Sequence, residues 1–340
     1  MLHSLLQQNL FQKATSDVSV EIIVVPNGCT DDTALVAQKT LENSIDPQIY
    51  TNLTWRIEEL KQSGKSNAWN QYVHHFSDPE ANYLFLMDSD IELLDPQTLN
   101  SMISVLDSTS EAHVAVDQPI KSIQFKENKT WLEYLSVLIS TLSGGNAMVG
   151  KPAWICGQLY CAKAEILRKI VLPNNLPVED AFLYKMIVTD GLKSPQIPSR
   201  VILADSASHA FDAYTNISRL LRHEKWLIMG NTINELVWDH LLTDKNQKQN
   251  IATIIKNKNK QDSSWVEKLI KLKIDNQGWW LIPQFILVRR FLSLLNKPIH
   301  KSIVLFPVAL MAFLVDLFLS VQANLNLHQG AVFSYWGKNQ

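Results

Sequence analysis

The sequence has no excess of charge of either sign. Its 31 Lys and Arg residues nearly balance its 33 Asp and Glu residues, so the formal net charge is −2. Proteins that bind nucleic acid usually carry a basic surface that meets the phosphate backbone. The composition therefore argues against nucleic acid as a partner.

Cysteine is scarce, and a secretory signal is missing. The three cysteines, Cys29, Cys156 and Cys161, form neither a C-x-x-C pair nor an even disulfide framework. Reduced thiols in a cytosolic setting are the simplest interpretation. Residues 1–15 are amphipathic and polar and have no long apolar core, so they do not resemble a signal peptide.

Long apolar runs are absent except near the C-terminus. Residues 303–321 are apolar apart from Pro307, Asp316 and Ser320, and this length suffices to cross a bilayer. Basic residues precede the run, so the positive-inside rule places that side in the cytoplasm. A carboxylate such as Asp316 is costly in a membrane unless it faces protein or water. The alternative is that the apolar sequence near the C-terminus forms a pair of buried hydrophobic helices in a soluble domain.

Strand and helix patterns alternate over the first half of the chain. Residues 20–25, 50–60 and 83–87 are rich in β-branched and aromatic residues, and a helical pattern separates each run from the next. The run at 83–87 has the pattern of a buried strand. The alternation predicts an α/β fold with a mixed, mostly parallel sheet and flanking helices.

Two carboxylates one residue apart, Asp88 and Asp90, follow the run at 83–87. Mg²⁺ and Mn²⁺ prefer carboxylate oxygens and share their other coordination positions with substrate phosphates. In an open α/β sheet, ligands bind beyond the carboxyl ends of the strands. The pair thus suggests a metal–diphosphate site, although a D-x-D sequence alone is often only a solvated surface feature.

Further motifs flank this pair in a characteristic order. They are the segment 24–33, with Asn27-Gly28 and Asp31-Asp32; Gly64-Lys65 followed by Asn70; Glu179-Asp180; and Arg222-His223-Glu224-Lys225-Trp226 in the place of a Gln-x-x-Arg-Trp motif. Over roughly residues 4–230 the chain resembles the family 2 inverting glycosyltransferases with a GT-A fold. That resemblance implies a Rossmann-like nucleotide-diphospho-sugar transferase domain.

The resemblance also implies roles for individual residues. Asp180, beside Glu179, is the expected catalytic base, and Asp88 and Asp90 are the expected ligands of Mg²⁺ or Mn²⁺. The expected donor-binding residues are Asn27, Gly28, Asp31, Lys65, Asn70 and Asp88, and the expected acceptor-binding residues are Gly157, Lys225 and Trp226. His209 is either an extra metal ligand or a structural histidine.

Each of these residues has an alternative interpretation. Acidic residues such as Glu179 and Asp180 are common in the first turn of a helix, where the helix dipole favours them. Lys65 could be an exposed helix-start lysine, and Trp226 could belong to the core.

A P-loop is excluded because position 59 is Glu59 instead of glycine. A haloacid-type phosphatase is excluded because Glu92 stands where Thr or Val is required.

The chain departs from the family pattern near its start. No strand precedes the helix near Met1, whereas the family has one at the centre of its sheet, between the strands that match residues 20–25 and 83–87. Pro26 also replaces the first Asp of the strand-end motif, and Lys225 stands where Arg is usual. Buried backbone groups without partners cost about 1–3 kcal/mol each. We therefore expect the sequence to be an N-terminally truncated or mis-started version of a longer protein.

The sequence thus predicts three parts: an incomplete catalytic domain at 1–240, a polar linker or amphipathic helix at 241–275, and a membrane-associated apolar segment at 276–340. The predicted activity is inverting transfer from a nucleotide-diphosphate sugar to a lipid-linked or growing cell-surface glycan, at the cytoplasmic side of a membrane. The alternative is an inactive relative that binds a glycan or a partner protein at the membrane.

Overall fold

The structure, a computed structural model, describes residues 1–11, 18–131, 133–134, 137, 150–212, 216–243, 250–295 and 297–330. The chain forms two compact units. Unit 1 comprises residues 1–172 and 179–215, and unit 2 comprises residues 173–178 and 216–340. The predicted boundary at residue 240 therefore lies too late, because one continuous helix of unit 2 runs across it.

Unit 1 contains two sheets in its described part. The strands are β1 (Val20–Val24), β2 (Leu53–Ile57), β3 (Tyr83–Met87), β4 (Ile91–Leu93), β5 (Val114–Lys121), β6 (Leu159–Lys163) and β7 (Val201–Phe211). β1 and β2 form a parallel pair, and the other five strands form one sheet in the order β3-β6-β5-β7-β4. β7 was not predicted from the sequence.

Six α-helices of unit 1 have both ends within the described residues. They are α1 (Leu2–Leu6), α2 (Thr33–Ser44), α3 (Lys65–Gln71), α4 (Thr98–Ser108), α5 (Ala164–Leu167) and α6 (Glu179–Val188). α4 is typical of the way they pack. Leu99, Met102 and Leu106 recur at helical spacing and are almost completely buried in the apolar core beside the sheet.

The α/β class is confirmed, but the strand directions differ from the predicted mostly parallel sheet. Among the described strands only β1–β2 and β5–β7 pair in parallel, whereas β3–β6, β5–β6 and β4–β7 are antiparallel. The difference arises because β6 returns between β3 and β5, and β4 pairs with the end of the long strand β7.

The strand predicted as buried, β3, is only half covered. Of its five residues, Leu84 alone is buried. The reason is its position at the edge of the sheet: it pairs with β6 and, among the described residues, with no strand on its other side. β1 lies in the other sheet, although Ile22 of β1 and Phe85 of β3 share one apolar core.

The regular secondary structure of unit 2 is α-helical in its described part. Its helices are α7 (Ile217–Thr243), α8 (Ile251–Gln261), α9 (Trp265–Gln277), α10 (Gln284–Leu295) and α11 (Ile299–His328). The predicted linker at 241–275 contains α8 and most of α9. Ile254, Ile255, Val266 and Ile270 are buried, so these are amphipathic helices packed within unit 2, and not a solvated linker.

α11 is the one helix among the described residues that is long and apolar enough to cross a membrane. Its most apolar window has a mean hydropathy of 2.5, and only 22% of that window is buried. Core helices of soluble domains bury most of such a surface. The alternative of two fully buried hydrophobic helices is therefore not what the structure contains.

Candidate active site

Residues far apart in sequence meet at one end of unit 1. Lys65 begins α3, Asp88 directly follows β3, Gly157 precedes β6, and Glu179 and Asp180 form the first turn of α6. These positions are strand ends and helix starts, where side chains leave the regular structure and converge. The structure therefore brings together the predicted base, one predicted metal ligand and two predicted substrate-binding residues.

Lys65 is the centre of this group. Its Nζ lies 2.9 Å from Oδ1 of Asp88 and 3.2 Å from Oε1 of Glu179. It also donates to Oδ2 of Asp88 and to the carbonyl oxygen of Gly157, each at 2.9 Å. Lys65 is therefore not a freely exposed helix-start lysine: it holds the strand-end carboxylate, the loop before β6 and the start of α6 in one arrangement.

The site contains more acidic than basic side chains: Glu179 is buried, and Asp88, Asp180 and Lys65 are partly buried. Burial raises the pKa of Asp88, Glu179 and Asp180, and the Lys65 ammonium opposes this effect at each of them. Burial by itself lowers the pKa of Lys65, but the charges of Glu179 and Asp88 outweigh it and raise that pKa overall. One cation thus serves three carboxylates, which leaves the site electronegative.

Gly157 adopts a backbone conformation that suits its closeness to Asp180. Its φ is +71°, in the region that favours glycine, and a Cβ at this position would lie 3.2 Å from both Cβ and Oδ2 of Asp180. A side chain at 157 would therefore crowd the carboxylate. The glycine leaves one side of the predicted base open.

Asp90 is the residue here that best fits a metal ion. It lines an open pocket of about 270 Å³ with Glu92 and Asp212, and among the described residues none donates a hydrogen bond to it. Asp88, the other predicted ligand, is held on both oxygens by Lys65. No cluster of three or more His, Cys, Asp or Glu suited to a metal occurs in the described part of the chain. This donor set fits Mg²⁺ or Mn²⁺ that takes one or two carboxylates and completes its shell with water and diphosphate oxygens.

The motif after β1 mainly shapes the turn. Gly28 has φ +69°, and a Cβ there would lie 2.5 Å from Cβ of Ser63, so only glycine fits. The Asp31 carboxylate accepts from the backbone N–H of Thr33 at the start of α2, and the hydrogen bonds from Thr33 lower its pKa. Asn27 differs: its side-chain oxygen is buried and has no hydrogen-bond partner among the described residues.

Asn70, predicted to bind the donor, makes structural contacts instead. Its side-chain amide donates to the carbonyl of Leu172 and accepts from the N–H of the same residue, both at 2.9 Å. Both polar atoms of the amide are therefore used to fix the segment that ends unit 1 before residue 173. These contacts do not support a donor-binding role.

A second buried group was missed in the sequence. His209 and Asp117 are fully buried on β7 and β5, and Nδ1 of His209 lies 2.6 Å from Oδ2 of Asp117. Nε2 of His209 lies 3.2 Å from Oε1 of Gln158, whose backbone carbonyl accepts from the N–H of Asp88. Both ring nitrogens are thus engaged within the protein, so His209 does not act as the extra metal ligand. Asp117 and Gln158 carry no sequence signal that would single them out.

The predicted acceptor residues divide between the two units. Gly157 lies in unit 1, whereas Lys225 and Trp226 lie on α7 in unit 2. On α7 the ring of Trp226 stacks on that of His223, with centroids 5.8 Å apart. An acceptor role for Lys225 and Trp226 stays a prediction.

An α/β domain with a mixed sheet and acidic residues gathered at its strand ends agrees with the GT-A fold that the sequence resemblance implies. A comparison with family models gives the same result for part of the chain. Residues 1–154 match the model of the Glycosyl transferase family 2. This match covers less than half of the 340 residues and lies within unit 1.

Solved structures of similar shape have low sequence identity. One is described as a mycobacterial protein, with 15% identity, a TM-score of 0.40, and coverage of 68% of this chain and 69% of that one. Another is glucosyl-3-phosphoglycerate synthase from Mycobacterium tuberculosis in complex with Mn²⁺, UDP-glucose and phosphoglyceric acid. It has 16% identity, a TM-score of 0.39, and coverage of 66% and 74%. No curated protein sequence matches the chain significantly.

Proposed function

We propose that unit 1 transfers a sugar from a nucleotide-diphosphate donor with inversion at the anomeric carbon, with Asp180 as the general base. The observation that supports this most is the excess of partly buried carboxylates around Lys65, in a unit whose first 154 residues match the family 2 model. Groups with pKa values perturbed by burial and by specific charges are typical of catalytic sites.

In the proposed reaction Asp180 takes the proton of an acceptor hydroxyl. The hydroxyl oxygen forms the new bond to the anomeric carbon, and the bond from that carbon to the diphosphate breaks, with its electron pair leaving on the diphosphate. Attack from the opposite face inverts the centre, so one base suffices and no covalent intermediate is needed. The raised pKa of Asp180 makes it a better proton acceptor than an exposed aspartate.

The remaining residues of the site bind and orient the donor. Asp90, with Asp88 beside it, would hold Mg²⁺ or Mn²⁺, which when bound offsets the charge that develops on the leaving diphosphate. Lys65 orients Asp88 and Glu179 through its short contacts. The unpartnered oxygen of Asn27 supports a donor contact at the end of β1.

The membrane part of the proposal concerns unit 2. We propose that α10 and α11 attach the protein to a membrane and that the acceptor is lipid-linked or a growing cell-surface glycan, handled on the cytoplasmic side. The exposed apolar surface of α11 supports attachment, and Lys297 and Lys301 near its start support the orientation by the positive-inside rule.

The test is a panel of nucleotide-sugars incubated with the full chain, with and without Mn²⁺ or Mg²⁺, and with the products identified by mass spectrometry. Metal-dependent transfer or donor hydrolysis that is lost in Asp180→Asn is expected. A folded chain that binds glycans but turns over no donor would show that the second candidate, an inactive binding protein, is correct.

A further inference from the structure

The two faces of α11 have opposite chemistry. Between Ile303 and Val321, every exposed residue is apolar or proline. On the other face, Asp316, Ser320 and Asn324 follow one another at intervals of four residues and are at most 1% exposed. Residues four apart lie on the same side of a helix. A polar line and an apolar surface therefore run along opposite sides of α11.

Two of the three residues of the polar line, Asn324 and Asp316, are bonded to the rest of unit 2, whereas the Ser320 hydroxyl has no partner among the described residues. Oδ1 of Asn324 accepts from the backbone N–H of Leu281 at 2.9 Å, and its Nδ2 donates to the carbonyl of Trp279 at 2.7 Å. Oδ2 of Asp316 accepts from Nε of Arg289 and Nε of Arg290, each at 2.9 Å. α11 therefore cannot move into a different environment without these partners.

Charged residues on two other helices, α7 and α10, form one ionic group with Asp316. Both Arg289 and Arg290 also bind Oε2 of Glu224 on α7, and the side chains of these three partners are 24–34% exposed. If residues 303–321 crossed the bilayer, Asp316 would lie about 8 Å inside that segment, five residues from its end. Its three partly exposed partners would lie beside it in the hydrocarbon, where charged groups are strongly disfavoured.

A transmembrane segment that excludes this ionic group would be too short to cross the membrane. Ile303–Val315 contains 13 residues, which span about 20 Å at 1.5 Å per residue, against a hydrocarbon core of about 30 Å. An amphipathic helix in the plane of the interface meets neither difficulty, because its apolar face sinks only about 5–10 Å and its polar face stays with protein and water.

We propose that α11 lies in the plane of a lipid bilayer surface and does not cross it; this rests on the proposed membrane attachment. Two features point to lipid as the occupant of the apolar face. Lys297 and Lys301 flank one end, where they meet anionic headgroups. Trp279 stacks on His328 at the other end, with ring centroids 6.4 Å apart, and tryptophan prefers the interface.

The neighbouring helix extends the same kind of surface. α10 packs on α11 through Phe291, whose ring centroid is 5.2 Å from that of Phe313. The exposed apolar residues of α10 lie on one of its faces at spacings of three and four residues: Phe285, Val288, Leu292 and Leu295. Two packed helices, each with an exposed apolar face, give a broad monotopic surface.

The test is the sidedness of the two ends of α11. Single cysteines are introduced by Lys301→Cys and Gln329→Cys in a full-length background carrying Cys29→Ser and Cys156→Ser, and inverted vesicles of the expressing cells are treated with an impermeant maleimide. Glu111→Cys, exposed on unit 1, is the matched control. We expect both ends and the control to react in intact vesicles to the extent seen after detergent.

A crossing helix gives a different pattern: one end reacts only after detergent, and this would overturn the proposal. Leu314→Cys, in the middle of the apolar face, is expected to react only after detergent. Purified Leu314→Cys protein is then mixed with vesicles of phosphatidylcholine and phosphatidylglycerol. If the thiol is already protected without vesicles and the protein is a dimer by light scattering, a second copy covers the face and the proposal is wrong. A protein found only in the soluble fraction refutes membrane attachment itself, and leaves the proposed chemistry of unit 1 to its own assay.

Discussion

Each unit of this protein contains a cluster of four charged residues, and the two clusters differ in their balance. In unit 1, Lys65 faces Asp88, Glu179 and Asp180, so three carboxylates share one cation. In unit 2, Arg289 and Arg290 each bind both Glu224 and Asp316, so two cations meet two carboxylates.

The difference indicates what each cluster does. A balanced cluster satisfies its charges internally and can hold helices together. An unbalanced buried cluster is costly unless something else supplies charge, and the proposed metal and donor chemistry of unit 1 would supply it. The net charge of a buried cluster is thus a better indicator of a functional site than the number of its ion pairs.

The largest expected effect comes from the proposed base. Asp180→Asn keeps the size of the side chain but removes its ability to take a proton, and general base catalysis contributes about 10²–10⁴-fold to rate. We expect kcat for sugar transfer to fall within that range, with the fold retained by circular dichroism. Asp190→Asn, just beyond the opposite end of α6, is the control. Full activity in Asp180→Asn would mean that another group is the base.

The next largest effect is expected on stability, when the single cation of the unit 1 cluster is removed. Lys65→Met leaves three carboxylates without their cation. Removing one partner of a buried pair costs about 3–5 kcal/mol, and since 33% of the Lys65 side chain is exposed we expect about 2–3 kcal/mol in the free energy of unfolding. Urea unfolding measures this change in the free energy of unfolding, with the exposed Lys61→Met variant as the control.

The loss of stability in Lys65→Met, called the deficit below, should depend on pH in one direction. Burial already raises the pKa of the three carboxyls, and loss of Lys65 raises it further. Protonation at lower pH removes their mutual repulsion, so the deficit of Lys65→Met should shrink as the pH falls. A deficit that grows on acidification would contradict the charge interpretation.

The balanced cluster is expected to respond less, and in a different way. Arg290→Met leaves carboxylate charge in excess, whereas adding Glu224→Gln restores neutrality. We expect the double variant to be more stable than the sum of the single variants by about 1 kcal/mol in a double-mutant cycle. Donor hydrolysis by unit 1 should not change. Strict additivity would show that Glu224 and Arg290 do not interact in solution.

The smallest effect is a shift in a pH profile. Burial raises the pKa of Asp180 above that of an exposed aspartate, and the base works only when ionised. The acidic limb of kcat/KM should therefore lie at higher pH than an exposed aspartate would give, with activity lost as the pH falls through it. In Asp180→Glu the limb should move, whereas in Asp190→Asn it should stay.

Much of the site could be predicted because its residues lie at the ends of regular elements. Asp88, Lys65 and Glu179-Asp180 stand just after a strand or at the start of a helix, and such positions converge in an α/β fold. Their order along the chain carries the resemblance from which their chemistry was inferred, and that chemistry stays a prediction. The detailed pairing, with Lys65 bound to both Asp88 and Glu179, required the structure.

Other parts could not be predicted because they depend on long-range contacts. Asn70 bonds to Leu172, which is 102 residues away, and Asp117 bonds to His209 across 92 residues. β7 was missed because its alternation is interrupted at Ser206, which has a φ of +51°. Helical spacing in α11 indicated an apolar segment, but the sequence alone could not show that Arg289 and Arg290 neutralise Asp316.

The separation of β1 from β3 has a consequence for hydrogen exchange. β5 is bonded to strands on both sides, whereas β1 and β3 each pair along one edge only among the described residues. Amides on the unpaired edges need no unfolding to meet solvent, but those of β5 exchange only when the sheet opens. Deuterium uptake should therefore be early in segments 20–24 and 83–87 and late in 114–116, the part of β5 that pairs with both β6 and β7. Any partner, ligand or chain segment that fills the space between β1 and β3 should first be detected as slower exchange in these two strands.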